Sequence, residues 1–547
     1  VRSDERRAAV PAWAAALCGL TAGAVALGVA ATAAGLVDPA AFPVAAVGNT
    51  LVDVSPGPLK DWAIRTFGSS DKAVVTAGVF VLLALGAAGV GRLVRRRGLP
   101  YGLAGLAAFG ALGLAAVFTR PGASAVDALP TLLGVLAGGL TLALLDRRAL
   151  AAVAPMPSAP TASDEPGRPD GLGEPDHEGE RPAVMRAGGP APGFDRRALL
   201  GGAAGGVVLA GVGGVAGALL GGHRAVDAAR NTLALPRAVR PATPLPGGAD
   251  LRIPGLSPFV TPNADFYRVD TAFVVPRVDP RDWTLRVHGM VDRPVEISFT
   301  DLLRRPLAEA DVTLTCVSNE VGGPYVGNAR WLGVRMADVL REVRPHAGAD
   351  MLLSTSADGW TCGTPLEVVL DGRDALFAVG MNGEPLPTEH GFPVRQVVPG
   401  LYGYVSATKW VVDVKVTRFD RDTAYWTSRG WAAEGPIKTQ SRIDVPAAGA
   451  AVPAGRTVIA GVAWAQHRGV AGVEVRVDRG EWRAARLAVT PGPDTWRQWS
   501  IEADLRPGGH TIAVRATDGT GRTQPAETAP PVPDGASGYH VLEITAT

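Results

Sequence analysis

Cysteine is scarce in this 547-residue chain. Cys18, Cys316 and Cys362 are all there is, so neither a disulfide framework nor a CxxC zinc or iron–sulfur site is available. Any cofactor is held largely by other groups. Net charge is nearly absent too, at +1, which removes the electrostatic case for nucleic acid binding, where a basic face neutralises phosphates. Charged residues make up only 19% against 47% hydrophobic ones, unusual for a wholly soluble protein. The length exceeds one ordinary domain, and part of the chain reads as membrane-embedded.

What is abundant is uncharged Ala-, Gly- and Leu-rich sequence. Residues 11–37 carry no charge and exceed the about 20 residues that cross a bilayer as helix. Further runs lie at 73–91, 101–119, 129–145 and 199–222, giving five expected spans. The alternative is that some are buried soluble helices, and the glycine-rich fifth is the weakest helix former, although membranes tolerate glycine and use it for close packing. Arg2, Arg6 and Arg7 precede the first run, Arg92, Arg95, Arg96 and Arg97 follow the second, and Arg147, Arg148, Arg196 and Arg197 lie between the fourth and fifth. All fall on one side if the N-terminus is cytoplasmic, which places the chain after residue 222 outside. No span contains histidine and no CxxCH occurs, so paired-histidine and covalent haem are not expected.

The domains read as follows: a four-helix transmembrane region over 1–150, a disordered cytoplasmic linker over 151–198, a fifth transmembrane helix over 199–222, a connector over 223–245, an α+β domain over 246–433 and a β-sandwich over 434–547. The linker is rich in Pro, Gly, Asp and Glu, and buries too little apolar surface to offset its chain entropy. It ends in FDRRALLGG, which resembles a twin-arginine export signal and is equally an ordinary positive-inside anchor. Short strands such as AFVVPRV, WTLRVHGMV and VEISF mix with helical ADVLREV in the α+β part. TVIAGVAWA, GVEVRVD, HTIAVRATD and YHVLEIT alternate between turns in the sandwich.

Two motifs carry chemistry. Cys316 stands in TLTCVSNEVGG (313–323), where Gly322 and Gly323 admit close approach and Asn319 offers donors; alone, such a cysteine is more often a small packed hydrophobe. HGFPVR places His390 and Arg395 around Pro393, a turn that aims cationic donors at one anion, or else a solvated surface loop. With these motifs the chain resembles the sulfite oxidase family of molybdopterin enzymes, of the membrane-anchored actinobacterial type. The Ala, Gly, Arg and Val usage points to a high-GC bacterium. The resemblance covers the last two domains and implies a molybdopterin domain followed by an immunoglobulin-like dimerisation domain. It also implies a molybdenum–molybdopterin cofactor with Cys316 as the metal's thiolate and catalytic residue, and His390 and Arg395 on the pterin phosphate.

Further matches to that family are SATKW, with Ser406 and Lys409, although one extra residue separates the two; NARWLG, with Asn328 and Arg330; and TPNADFYRVDT, with Asn263, Phe266 and Tyr267. Trp331 reads as core, Cys362 as structural, and Asp358 as an acidic turn residue that otherwise orients substrate. Where sulfite oxidases continue with an Arg-Asn-His sequence facing the oxyanion, this chain has Arg268 one position early and Asp270-Thr271, which puts sulfite in doubt. The implied activity is two-electron oxygen-atom transfer on a small oxo-anion or sulfoxide, in an extracytoplasmic half anchored to a bacterial membrane. A separate electron partner is implied: a quinone, cytochrome or membrane flavoprotein. The rival readings are a non-catalytic membrane-anchored binding or scaffold protein that keeps the fold, and a sandwich that serves as an adhesion module.

Overall fold

The computed structural model describes residues 7–55, 66, 71–120, 123–153, 196–220, 223–272 and 274–547. The chain forms two compact units, a helical one within residues 1–221 and a second one over residues 222–547. The helical unit contains α1 (Ala12–Val37), α2 (Pro43–Val54), α3 (Asp71–Arg97), α4 (Leu99–Phe118), α5 (Leu129–Ala151) and α6 (Arg196–Leu220). Pro100 and Pro130 sit in the first turns of α4 and α5, where the missing N–H has no helical partner to lose. α1 packs along α3, α5 and α6, and backbone meets backbone there. A Cβ on Gly19 would fall 2.0 Å from the Ala87 carbonyl oxygen, and one on Gly91 would fall 1.9 Å from that of Ala15. Thr32 Oγ1 donates to the Gly213 carbonyl at 2.7 Å. Leu82, Leu136, Leu140 and Val208 face outward, while Leu142 and Leu145 pack inside among the small residues; close approach through small residues is a common way for helices to pack in lipid.

Four helices are long and apolar enough to cross a membrane: Ala12–Val37, Val74–Arg97, Leu99–Phe118 and Ala125–Ala151. The expected fifth span forms α6, whose described apolar stretch, Leu200–Val215, is shorter than a full crossing. Residues 154–195, nearly all of the expected linker, and the side chains of Arg196 and Arg197 in the arginine motif lie outside the described residues.

The second unit opens with α7 (His223–Thr232) and an extended segment that packs on the sheets. Val226 is buried with Phe266 and Leu386, Arg230 donates to the Pro385 and Leu386 carbonyls at 2.9 and 2.8 Å, and the amides of Val239 and Arg240 donate to the Leu307 carbonyl. There follow β1 (Thr284–Gly289), β2 (Val295–Ser298), α8 (Phe299–Leu303), β3 (Leu307–Thr315), β4 (Val326–Arg335), α9 (Met336–Val343), β5 (Met351–Ser356), β6 (Thr361–Pro365), α10 (Leu366–Leu370), β7 (Leu376–Met381), β8 (Glu384–Pro385), β9 (Arg395–Val397) and β10 (Val411–Thr417).

One sheet has the order β2-β1-β10-β5-β6, with β1 parallel to β10; the other runs β3-β4-β7-β8, with β9 on β7. Trp283, Leu285, Val334, Phe377 and Val414 belong to the shared core. The run AFVVPRV contains no strand among its described residues. Pro276 withholds a ladder donor there, and Val275 and Arg277 line a cavity instead.

Nine further strands complete the chain: β11 (Gln440–Val445), β12 (Ala451–Val452), β13 (Gly455–Trp464), β14 (Val470–Val477), β15 (Arg483–Ala484), β16 (Arg486–Leu487), β17 (Arg497–Leu505), β18 (Gly508–Asp518) and β19 (His540–Ala546). They form two sheets, β11-β13-β17-β16 and β12-β19-β18-β14-β15. Ile459 and Trp499 from the first meet Val475, Val514 and Ile544 from the second in one apolar core, which is the packing of a sandwich. The four strand runs read in the sequence are β13, β14, β18 and β19. Residues 435–446, GPIKTQSRIDVP, supply β11, an edge strand paired with β13.

Candidate functional site

β3 ends at Thr315, and Cys316 opens the turn that returns as β4. The turn is closed by its own polar groups: the Cys316 amide donates to the Tyr325 carbonyl at 3.0 Å, the Asn319 amide to the Cys316 carbonyl at 3.1 Å, and the Tyr325 amide to Asn319 Oδ1 at 2.8 Å. Cys316 is half-buried, with Sγ 2.9 Å from Ser318 Oγ. Burial raises its thiol pKa, while the Ser318 hydrogen bond and the Lys409 charge pull the other way.

His390 closes a short 3₁₀ turn and is 3% exposed. Its Nε2 lies 3.2 Å from the Asn263 carbonyl oxygen, to which it donates. Burial, then the charges of Arg395 and Lys409, push its pKa down to about 3, so the ring is neutral. Gly391 follows at φ +111, and a Cβ there would come within 2.9 Å of Arg395 Cβ and 3.2 Å of Lys409 Cα. Glycine is what lets His390, Arg395 and Lys409 crowd together. Arg395 begins β9, donates Nη1 to the His390 carbonyl at 3.1 Å and lies 4.9 Å over the Trp331 ring. Burial lowers its pKa to about 10.

Lys409 Nζ donates to Asp270 Oδ2 at 2.7 Å and to the Glu389 carbonyl at 3.1 Å. Burial lowers its pKa to about 8, with Asp270 opposing. Asp270 is also paired with Arg268 at 2.9 Å. Tyr267 lies between the two motifs: burial and the Cys316 charge raise its pKa, and Arg395 lowers it. Phe266 stacks on Tyr267 at 5.3 Å and turns its edge to Trp331 and His390.

Cys316, Tyr267, Phe266, His390, Arg395 and Lys409 therefore converge, with Asn319 bracing the turn. Asn263 braces His390 and is itself held by Asn382 Nδ2 at 2.8 Å. Three other expected residues point elsewhere. Asn328 is fully buried, accepting from Thr313 Oγ1 and donating to the Phe259 carbonyl, both at 2.9 Å. Arg330 grips Asp311 with two hydrogen bonds and reaches the Thr243 carbonyl. Ser406 donates to the Leu401 and Tyr402 carbonyls. Residues not singled out as site members are Ser318 on the thiol, Asp270 on Lys409 and Trp331 beneath Arg395. The Asp270-Thr271 departure was the signal for the second of these.

A cavity of about 430 Å³ opens beside His390, lined by Asn263, Phe266, Arg268, Arg277, Glu389 and others. The donor chemistry fits a metal carried by an anionic organic ligand. No cluster of three His, Cys, Asp or Glu residues able to hold a metal exists among the described residues, so the protein offers one thiolate and little else. Arg395 is buried with carbonyl acceptors and no carboxylate partner among the described residues, and a buried cation of that kind calls for an anion.

The family model "Oxidoreductase molybdopterin binding domain" matches residues 272–426. The sulfite oxidase of Gallus gallus is 30% identical over 321 residues, covering 50% of this chain and 69% of that protein. This chain belongs to the sulfite oxidase family of molybdopterin-dependent oxidoreductases. It is thus an oxidoreductase, and the family's cofactor is molybdenum–molybdopterin. The mitochondrial sulfite oxidase of Rattus norvegicus is also 30% identical, but there the chain spans 58% of the relative's length. Among solved structures, the sulfane dehydrogenase SoxCD of Paracoccus pantotrophus matches 49% of this chain and 75% of its own, at 26% identity and a TM-score of 0.44. The residues present fit that cofactor: the Cys316 thiol suits the metal and the buried cations Arg395 and Lys409 suit the phosphate, whereas the neutral His390, expected on the phosphate, gives its one N–H to the Asn263 carbonyl.

Proposed function

We propose that this chain is a membrane-anchored oxidoreductase whose catalytic half is extracytoplasmic and transfers an oxygen atom and two electrons to or from a small oxo-anion or sulfoxide. The observation that carries the site reading is the convergence of the Cys316 thiol with the buried cations Arg395 and Lys409 around Tyr267. The molybdenum cofactor, when bound, supplies the two-electron oxygen-atom chemistry. Cys316 holds the metal as thiolate, since a coordinating thiol is deprotonated outright. Arg395 presents its planar fork to phosphate oxygens and Lys409 its point charge. Neutral His390 keeps the Asn263 backbone in place and donates rather than accepts. Phe266 and Tyr267 give the pterin an aromatic wall and exclude water.

Four apolar helices support the anchor, and the one-sided distribution of arginines supports a cytoplasmic N-terminus. A cofactor inserted before export would require a folded domain to cross, which favours use of the arginine pair at 196–197 as an export signal. An immunoglobulin-like identity for the sandwich, with homodimer contacts through it, and a separate quinone, cytochrome or flavoprotein partner complete the proposal.

The test is molybdenum and pterin content of the full chain, purified in detergent from a molybdopterin-competent host, beside Cys316→Ala. Near-equimolar pterin with a thiolate-to-metal absorption band absent from the variant is the expected result. A folded chain without pterin, or a band untouched by the substitution, overturns the site reading.

A further inference from the structure

The stretch that carries Cys316 is gripped from outside its own domain. Gln466, which follows β13, donates Nε2 to the Thr313 carbonyl and to Thr315 Oγ1 at 2.9 and 3.0 Å. The Thr313 amide donates to the Asp494 carbonyl at 3.0 Å, and the Trp496 amide donates to Thr313 Oγ1 at 2.7 Å. β3 is therefore fixed by the sandwich up to the residue before Cys316.

The turn beyond Cys316 meets the sandwich again. Gly322 has φ +77, and a Cβ there would lie 2.2 Å from the imidazole of His540, the first residue of β19. The ring is thus seated directly against the turn's backbone, and its own position is set: the Ile443 amide donates to Nδ1 at 3.0 Å, which puts the proton of the neutral ring on Nε2. Arg442, on β11, donates Nη1 to the Gly323 carbonyl at 3.0 Å and is itself held by Asp444 at 2.6 Å and Ser257 at 2.9 Å. From there the contacts lead to the Cys316 backbone. A Cβ on Gly323 would lie 2.5 Å from Asn319 Oδ1, and Asn319 closes the turn onto the Cys316 carbonyl. A push at 322–323 is handed to Asn319 and from there to Cys316.

We propose that His540 and Arg442 are positioning residues for the Cys316 thiolate, so that the C-terminal sandwich is the outer wall of the metal-ligand turn as well as a separate folding layer. This rests on Cys316 being the metal ligand. Electron donation from a thiolate depends on how its sulfur is held, and partners outside the ligand sphere change metal affinity or activity by about 10–100-fold when removed.

The full chain in detergent is compared as wild type, Cys316→Ala, His540→Ala, His540→Asn and Gly322→Ala. The readouts are pterin and molybdenum content, the thiolate-to-metal absorption band per bound molybdenum, and kcat and KM separately. His540→Ala is expected to keep its pterin, shift the band and lower kcat about tenfold with KM little changed. His540→Asn, whose amide oxygen falls near the Nδ1 position and retains an acceptor for the Ile443 amide, recovers the band. Gly322→Ala presses the same turn against the His540 ring, shifts the band as well, and stands in if His540→Ala does not fold. A band per molybdenum unchanged in both His540→Ala and Gly322→Ala, with only thermal stability reduced, overturns the proposal. A wild-type band that survives Cys316→Ala overturns the ligand reading beneath it, whatever the His540 variants do.

Discussion

In the helical unit alanine and glycine share the buried positions with Val90, Val94, Leu142 and Leu145, while Leu82, Leu136 and Leu140 face outward; in the C-terminal unit Trp283, Trp331, Trp464 and Phe377 are inside. Four helices of the first unit are long and apolar enough to cross a membrane. In lipid an outward leucine costs nothing, and close backbone approach such as that at Gly19 and Gly91 supplies cohesion. Where the surroundings are water, burial of large apolar surface is the main favourable contribution. Charge follows the same division. The helical unit pairs Arg7 with Asp146 at 3.0 Å, whereas the C-terminal unit buries Arg395 with no carboxylate partner among the described residues, close to a Lys409 that Asp270 already holds.

Substitutions can break this contrast in order of expected effect. Trp283 is 1% exposed and donates to the Val411 carbonyl at 2.8 Å, so Trp283→Ala should destabilise the C-terminal unit by about 3–5 kcal/mol. Denaturant unfolding followed by fluorescence checks it. Arg395→Met should lower pterin retention about 10–100-fold, the worth of a charge-assisted hydrogen bond of about 1.5–3 kcal/mol, measured as pterin per purified chain. The same change should leave the cofactor-free protein no less stable, because it removes a buried cation without an anionic partner.

In the helical unit Gly91→Ala should cost about 1–3 kcal/mol from overpacking against the Ala15 carbonyl, read as a lower melting temperature in detergent. Lys409 sharpens the comparison through pH. Its folded pKa of about 8 lies below the usual 10.5, so between those values the unfolded chain binds the extra proton. This group therefore makes the cofactor-free protein more stable as pH rises from 8 towards 10.5, while its charge on the phosphate is lost. Pterin binding to the cofactor-free protein should weaken severalfold above about pH 8, and Lys409→Arg should flatten that dependence. The smallest effect is expected at Leu82, 67% exposed on α3: Leu82→Ala should change detergent stability by under about 0.5 kcal/mol, where the same loss inside the other unit would be several times larger.

The motif residues were legible because their spacing is local. His390 and Arg395 are joined by Gly391, and their shared site follows from one turn; Cys316 and Asn319 share another. Asn328, Arg330 and Ser406 carry the right donors, yet their destinations depend on strands distant in sequence. Thr313 and Phe259 take the polar atoms of Asn328, and Asp311 takes Arg330. Asp270 was visible as a departure from the family pattern, but its pairing with Lys409, 139 residues away, was not. The segment 272–278 was alternating and apolar enough to read as a strand. Its proline and the lack of a neighbouring ladder left it extended and free to line the cavity.

The sequence alone determined the division into a half of long apolar helices and a half of short strands, the family and its cofactor, because these rest on composition, run length and short motifs; it read five spans where four described helices have the full length. Only the tertiary structure decided which donors reach the site and that His540 and Arg442 touch the turn behind Cys316. A side chain's partner is set by strand register and by contacts closed across more than a hundred residues, which local patterns do not encode.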